Sequence, residues 1–359
     1  LNRLQARIRL GGSATAATAN IETTREKLPQ VLQLIADLLK NSSFPATEFD
    51  LLKQERLAEI EQQRSEPQSL AMIALQKQLN PYPKGDVRYV SSIDESIADL
   101  NAVTLDQVKE FHKQFYGANT GELSVVGDFD APALATQVDQ LFGGWHAPEN
   151  FTRIANLYQP QAAINQAIQA NDKANAVFYA GIPLQLRDDD LDYPSMVLAN
   201  YMLGGGFLNS RLAVRVRQQE GLSYGVGSQF SASSLDHVGT FLVYAIYAPQ
   251  NRDKVEQAIK EELQRAIQNG FTTEEIQAAK SGWLQSRQVS RAQDSELANK
   301  LGTYQFLNRT LSWDDQLEKQ VAALTSDQII AALKRHLNLT QLNIVKAGDF
   351  TKVNKATSP

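Results

Sequence analysis

The sequence has no cysteine among its 359 residues, which excludes disulfide bonds, thiolate metal sites and a cysteine nucleophile. It also lacks an apolar run of about 18 residues, the length that a membrane-spanning helix needs. Lysine and arginine never form a run longer than two and the net charge is -5, so we expect no nucleic-acid or membrane partner. A chain without cysteine suits the cytoplasm or a bacterial periplasm, and we favour the periplasm.

The length favours two domains, because 359 residues exceed the usual size of one hydrophobic core. An internal repeat supports this organisation. Residues 104–129 align without a gap to residues 325–350 with seven identities, and each copy predicts a threonine-capped helix and then a strand that ends in Gly-Asp-Phe. Residues 13–44 align in the same way with residues 240–271, and each of these predicts a strand followed by an amphipathic helix.

The apolar positions of the two amphipathic helices recur at helical spacing, and Lys53 aligns with Lys280 at the same offset. The stripes consist of Leu28, Leu32, Ile35 and Leu39 in the first copy and of Val255, Ile259, Leu263 and Ile267 in the second. Each repeat therefore predicts an α+β domain in which several helices pack on a mostly antiparallel sheet.

The repeat also predicts the domain boundaries. The second copy begins near Asn175, and its counterpart in the first copy would fall before residue 1. We therefore expect the chain to begin inside a domain. Residues 1–147 are predicted to form the latter part of one domain, residues 148–167 a linker, and residues 168–359 a complete second domain.

One local segment, RVRQQEGLSYGV at residues 215–226, has the pattern of a helix end that leads into a strand. Gly221 is the residue type that tolerates the left-handed conformation just after a helix, so Arg217 is predicted to lie in the last helical turn. Tyr224 is predicted to begin the strand. The face that it is expected to share carries Val226, Ser228 and Phe230.

The order of these elements, together with LGGGFLNSRL, RVRQQEGLSYGV and the two GDF strands, resembles the pitrilysin or insulinase family of zinc metallopeptidases, which includes the mitochondrial processing peptidases. The resemblance implies homologous α+β domains of the processing-peptidase type, paired into a clamshell around a closed chamber. It implies that this chain is the C-terminal half of a four-domain bacterial zinc metalloendopeptidase. The implied partners are a peptide or small protein substrate and the N-terminal, zinc-carrying half of the same protein.

The zinc motif of that family, His-x-x-Glu-His, is absent from this chain. The four histidines are His112, His146, His237 and His336, and no two of them are four residues apart. Glu59 stands where the family has its distal glutamate ligand, with the histidines falling before residue 1. The resemblance implies that zinc is bound by the absent N-terminal half, so this chain is predicted to hold no metal ligand and no catalytic residue and to be inactive by itself.

The resemblance assigns a substrate-binding role to Arg217 and Tyr224, which match the family's arginine and tyrosine that reach the peptide. A phenol can donate a hydrogen bond to a developing oxyanion, and a guanidinium can hold a carbonyl or carboxylate in a fixed geometry. Without the resemblance, the arginine could simply complement the helix dipole and the tyrosine could simply pack.

Two other motifs have simpler interpretations. The Gly204–Gly206 stretch lacks the lysine and spacing of a phosphate-binding loop, so it predicts a flexible turn, with substrate contact as the alternative. The cluster Asp188, Asp189, Asp190 and Asp192 lacks the pattern of a calcium loop and predicts a solvated helix N-terminus.

A second function stays open, namely a catalytically inactive structural or chaperone-like relative. An intact zinc motif upstream would favour the enzyme, and its loss would favour the inactive relative. A third interpretation, an unrelated α+β binding module, requires that the chain lack two superimposable domains.

Overall fold

The computed structural model describes residues 2–351. Within them the chain forms seven strands and twelve α-helices. The strands are β1 (Arg7–Gly12), β2 (Ala17–Glu22), β3 (Asn165–Gln169), β4 (Ala176–Leu184), β5 (Ser223–Ala232), β6 (Gly239–Tyr247) and β7 (Asn343–Gly348). The helices are α1 (Leu28–Lys40), α2 (Ala46–Gln63), α3 (Pro67–Leu79), α4 (Ile93–Ala102), α5 (Leu105–Phe115), α6 (Ala131–Phe142), α7 (Tyr193–Asn200), α8 (Arg252–Asn269), α9 (Thr273–Arg291), α10 (Asp294–Phe306), α11 (Ser312–Ala323) and α12 (Ser326–His336). No helix within residues 2–351 is long and apolar enough to cross a membrane.

The chain folds into two compact units, each built from three separate stretches. Unit 1 takes the described part of Leu1–Ala58 with Ile97–Ile154 and Val289–Leu311. Unit 2 takes the remaining described residues. Each unit combines stretches that are separated in the sequence, whereas each predicted domain, with boundaries at residues 147 and 168, is one continuous stretch. Contacts define the compact units, whereas sequence similarity defines the repeats. The units therefore do not test the predicted boundaries, which stay a prediction.

Unit 2 contains a five-stranded sheet in the order β3-β7-β4-β6-β5. Its strands pair antiparallel, except that β3 runs parallel to β7. The strand predicted at the start of residues 240–271 forms as β6, and β4 begins one residue after Asn175, the predicted start of the second copy. The mixed α+β fold is thereby confirmed.

Both faces of the inner strands β4 and β7 are buried, because helices cover each face. On one face the apolar side chains of α7, α8 and α12 form the main core, and the predicted stripe on α8 is buried there. On the other face, Ala71 and Leu75 of α3 pack against Val177 and Tyr179 of β4. The predicted boundaries place α3 in the first domain, but its contacts are with the sheet of unit 2.

Unit 1 contains the two-stranded antiparallel sheet β1-β2, and α1 packs against α6. The strand predicted to end at Gly127-Asp128-Phe129 does not form; residues 121–126 have no regular secondary structure. A strand requires a hydrogen-bonded neighbour, and its counterpart β7 has two in β3 and β4. Among the described residues of unit 1, no strand pairs with this stretch.

Equivalent positions of the two repeats make equivalent local contacts. Thr104 and Thr325 each begin a helix with a capping box, closed by the glutamine three residues later. The Lys53 ammonium donates to the Asn101 and Val103 carbonyls at 2.9 and 2.8 Å. Lys280 donates in the same way to the carbonyls of Ala322 and Leu324, at 2.9 and 2.7 Å. Each lysine therefore ties its helix to the chain just before the threonine cap.

The inner strand β7 carries a second buried lysine, Lys346, which pairs with Glu256 of α8. Glu256 also accepts hydrogen bonds from Lys260 at 2.6 Å and from Asn165 at 2.7 Å. Burial alone would raise the pKa of Glu256, but the hydrogen bonds from Lys260 and Lys346 outweigh it and lower the pKa from 4.5 to about 2. The carboxylate is therefore ionised and paired in the folded protein at neutral pH.

The first prediction concerns Lys280. Replacing it with Met keeps the apolar stem but leaves two carbonyls without their donor, which should lower the free energy of unfolding of unit 2 by about 1–3 kcal/mol. Denaturant unfolding of Lys280→Met measures this. Lys53→Met is the matched control at the more exposed position and should lose less. Equal stability of Lys280→Met and the unsubstituted chain would show that the two hydrogen bonds are not needed.

The second prediction concerns pH. Because the folded state lowers the pKa of Glu256, its contribution to stability is present above pH 4.5 and is lost as the pH falls from 4.5 towards about 2. Thermal unfolding between pH 7 and pH 2 should show this loss. Glu256→Gln should flatten the acidic part of the profile, whereas an unchanged profile would contradict the assignment.

Candidate functional site

A cavity of about 630 Å³ lies at the edge of the sheet of unit 2, where β5 is the last strand. Its walls come from β5, β6 and the segments between α7 and β5. Its lining consists of Asn200, Gly204, Gly205, Leu208, Ala213, Arg217, Gly225, Val226, Ser228, Gln229, Phe230, Ser231, Thr240, Leu242 and Tyr244. Arg217 is the single charged residue in this set. The cavity is thus mixed in polarity, open along a strand edge and marked by one cation.

Two π-helical segments, Tyr201–Gly205 and Ala213–Gln219, form the wall opposite the strand. For the second segment the sequence predicts an ordinary helix end at Arg217, and the wider π turn is a local departure that often accompanies functional sites. The first segment lies directly on β5. A Cβ atom on Gly204 would come within 2.2 Å of the Ser228 backbone nitrogen, and the Ser228 hydroxyl donates to the Asn200 side chain at 2.8 Å. Gly204 therefore permits close packing, and the prediction of a merely flexible turn is wrong.

The second π-helical segment and the residues just before it present three arginines with different surroundings. Arg211 makes a bidentate pair with Glu275, with both nitrogen–oxygen distances at 2.7 Å. Arg215 pairs with Glu220 at 2.9 Å and with Glu261. These two arginines are therefore neutralised by acids of the same unit.

A buried carboxylate, Glu262, lies beside both of these arginines. Its side chain is 4% exposed, and its oxygens lie 3.7 Å from Arg211 Nη1 and 3.6 Å from Arg215 Nη1. Both Nη1 atoms are buried and have no hydrogen-bond partner within the described chain. Glu262 thus contributes charge compensation from a distance, and Arg211 and Arg215 fix the segment onto α8 and α9.

Arg217 differs from both neighbours because it is exposed and lines the cavity. Within residues 2–351 it makes no ion pair. Its position confirms the sequence-based placement in the last turn before Gly221, which has the left-handed φ of +61°. The guanidinium is therefore available to a negative or carbonyl group in the cavity.

Tyr224 lies at an irregularity of the strand. The pairing of β5 with β6 passes from Ser223 to Gly225 and leaves Tyr224 without a partner at a β-bulge. Its side chain is 64% exposed. Tyr224 is not one of the described residues that line the cavity, although its neighbour Gly225 is. Arg217 and Tyr224 therefore flank one strand end, but only the arginine faces the cavity.

Three of the four residues predicted to share one face of the strand do so. Val226, Ser228 and Phe230 pair with Ala245, Val243 and Phe241, whose side chains lie in the main core. Tyr224 falls outside this register. A two-residue repeat alone cannot reveal a bulge, because the extra residue depends on the partner strand.

One feature of the sequence indicates the cavity, although it belongs to none of the motifs interpreted above. Gly225 and Gly227 stand two apart within a predicted strand, and glycine in a strand interior often marks close approach of another chain or ligand. The Tyr244 ring fills the space beside Gly227, because a Cβ atom on Gly227 would lie 2.9 Å from the Tyr244 hydroxyl oxygen. A Cβ atom on Gly225 would meet nothing within 4 Å, so the space beside it is open.

The aspartate cluster before α7 is held by side chains of unit 2. Asp188 is buried and accepts a hydrogen bond from Ser234 at 2.6 Å. Asp192 accepts from Arg335 and lies 2.8 Å from His336 Nε2. The predicted solvated cluster is therefore wrong for Asp188, which is a structural group.

The residues present do not fit a metal centre. Between residues 2 and 351 no group of three or more His, Cys, Asp or Glu side chains could hold a metal ion. Glu59, at the position of the family's distal ligand, lies on α2, which buries none of its residues. His112 packs against Phe44 and Tyr116.

Comparison with known proteins agrees with the fold. The model of the Peptidase M16 inactive domain matches residues 102–282. A protein of Helicobacter pylori called "Non-peptidase homolog YmxG" is 22% identical over 346 residues, which cover 91% of this chain and 76% of that protein. "Uncharacterized zinc protease SCO5738" of Streptomyces coelicolor is 26% identical over 366 residues, which cover 97% and 78%.

A solved structure supports the same assignment. The crystal structure of the peptidase M16 inactive domain from Pseudomonas fluorescens superposes with a TM-score of 0.82 and 26% identity. The match covers 97% of this chain and 81% of that one. Since the family model spans half of the chain, this protein belongs to the family of the Peptidase M16 inactive domain.

Proposed function

We propose that this chain is the non-zinc half of an M16-type metalloendopeptidase and that it holds an extended peptide along the free edge of β5. The observation that carries the proposal is the cavity at this edge, with Arg217 exposed in its wall and without an ion pair. The chain then closes over a zinc-carrying N-terminal half and encloses the substrate.

The strand edge supplies the first element of peptide binding. β5 pairs with β6 on one side, and it ends the sheet on the other. The backbone groups of an edge strand can accept a further strand, and extended peptides commonly bind in this way. The open space over Gly225, on the α3 face of the strand, leaves room for a side chain of such a peptide.

The two side chains named from the sequence supply the second element. The Arg217 guanidinium can donate several hydrogen bonds in one plane to a peptide carbonyl or carboxylate. The exposed Tyr224 hydroxyl at the bulge can donate to an oxyanion that develops at a neighbouring reaction centre.

A second candidate function is that of a catalytically inactive relative that binds peptides without cleaving them. The observation that favours it is the relative called a non-peptidase homolog, which aligns with 91% of this chain. The same cavity would serve both functions, because edge-strand pairing and the Arg217 contact need no metal.

The third prediction tests the cavity. A fluorescein-labelled, unstructured ten-residue peptide should bind the chain, as measured by anisotropy. Arg217→Ala should weaken binding about fivefold, as for an exposed ion pair, and Tyr224→Phe about two- to tenfold if its hydroxyl donates to the peptide. Lys254→Ala, an exposed cation on α8, is the matched control and should leave the affinity unchanged.

Two outcomes test separately the role of Arg217 and Tyr224 and the binding of the peptide to the edge of β5. If both variants bind as tightly as the unsubstituted chain, the pair plays no part in peptide binding. N-methylation of alternate peptide residues should block pairing to β5. Only one of the two alternating sets of peptide N–H groups faces β5. If binding survives methylation of each set in turn, the edge-strand mode is wrong.

The fourth prediction separates the two functions. With added zinc, this chain alone should not cleave a fluorogenic peptide, and zinc-dependent cleavage would overturn the assignment of a non-zinc half. The longer parent protein should cleave the peptide in a chelator-sensitive reaction if it is an enzyme. Binding without turnover by the parent would establish the inactive relative instead.

A further inference from the structure

The cavity reaches both faces of the β5 edge, so it offers two different surfaces to one bound strand. Ser228 pairs with Val243 of the main core, and this face of β5 carries the two π-helical segments. Gln229 pairs with Leu242, which packs on the opposite face with α3. Residues paired across an antiparallel ladder point to the same side, so the cavity wraps around the strand.

The two surfaces differ in chemistry. On the side of the π-helical segments the lining includes Asn200, Ser228 and the Arg217 guanidinium. On the α3 side it includes the apolar and aromatic side chains of Leu242 and Tyr244. The α3 side also carries Gln229 and Ser231, and the side of the π-helical segments also carries Val226 and Phe230. The surfaces therefore differ in that the single cation lies on one of them and the side chains of Leu242 and Tyr244 lie on the other.

Successive side chains of an extended peptide point to opposite faces. A peptide that adds to β5 would consequently place one side chain towards Arg217 and the next towards Leu242 and Tyr244. This alternation couples the two preferences at adjacent positions of the peptide.

The charge of the cationic surface comes from Arg217 alone among the described lining residues. Arg211 and Arg215 carry the same charge, but their pairs with Glu275, Glu220 and Glu261 neutralise it. A cation that is unpaired in an otherwise neutral cavity favours an anionic ligand group. Because the whole chain carries a net charge of -5, a peptide with many acids would be repelled.

We infer that the cavity selects extended peptides in which a single acidic side chain, facing Arg217, stands directly next to a large apolar side chain, facing Leu242 and Tyr244. This inference rests on the proposed function, since it specifies the peptide class that the same site takes. An isolated acid–apolar pair, and not overall acidity, is the recognised feature.

The experiment uses the full chain and four labelled ten-residue peptides that differ only at their centre. The centres are Glu-Leu, Gln-Leu, Lys-Leu and Glu-Gly-Leu, the last of which places both side chains on one face. Glu-Leu should bind about fivefold more tightly than Gln-Leu, near the upper value for an exposed ion pair, and Lys-Leu should bind most weakly. Glu-Gly-Leu should bind less tightly than Glu-Leu, since it cannot reach both surfaces together.

A charge exchange makes the assignment specific to one residue. Arg217→Glu should reverse the order, so that Lys-Leu binds more tightly than Glu-Leu. Lys254→Glu changes the net charge equally at an exposed position that does not line the cavity and should keep the original order. Far-UV circular dichroism and thermal unfolding check that both variants are folded.

The possible results distinguish this inference from the function on which it rests. If all four peptides bind with the same affinity and N-methylation abolishes binding, the edge site stands and the acid–apolar preference is wrong. If Lys254→Glu reverses the order as well, net charge and not Arg217 sets the preference, which also overturns the inference. If no peptide binds, both the inference and the proposed function fail.

Discussion

Burial of both faces of the inner strands of the five-stranded sheet is the constraint on which unit 2 depends. Along β4 nearly every residue is buried, which is possible because the main core covers one face and α3 covers the other. A sheet covered on two faces can meet a further strand only along an edge. The position of β5 at the end of the strand order therefore decides where the proposed peptide would bind. Gly204 and Gly225 then set how closely the neighbouring chain and a ligand can approach that edge.

Charge in the wall of the cavity is organised by the same packing. The π-helical segment is attached to α8 and α9 through Arg211 and Arg215, and the buried Glu262 lies between them. Taking these charges out of water is tolerable because acids surround them. Arg217 stands two residues beyond Arg215, where the segment leaves the acids and reaches the cavity. One short stretch thus separates structural arginines from the one that is available to a ligand.

Local features of this fold could be predicted from the sequence, because short-range rules determine them. Thr104 and Thr325 begin helices as expected, Gly221 has its left-handed conformation, and β4 and β6 form where predicted. Features that depend on a partner far away in the sequence could not be predicted from it. Residues 122–129 have the pattern of a strand, but a strand forms only beside another one. The bulge at Tyr224 likewise depends on the register of β6.

The candidate site shows the same division. The resemblance drew attention to Arg217 and Tyr224 through their spacing, and the structure places one of them in the cavity wall and the other at the bulge beside it. The polar residues Asn200 and Ser228 and the apolar Leu242 carry no motif, because they come together only when β5, β6 and α7 are packed. The predicted domain boundaries and the four-domain parent stay predictions, since contacts alone cannot test them.

The two candidate functions differ less than their names suggest. Holding an extended peptide requires a free strand edge and groups that recognise its side chains, and we propose that unit 2 supplies both without a metal. A protein that loses its zinc site would therefore lose hydrolysis without losing this surface. Conversely, a peptidase gains from such a surface because binding energy realised away from the reacting bond positions the peptide for cleavage. The peptide preference at β5 should consequently be the same in either case, so it can be determined before the catalytic question is answered.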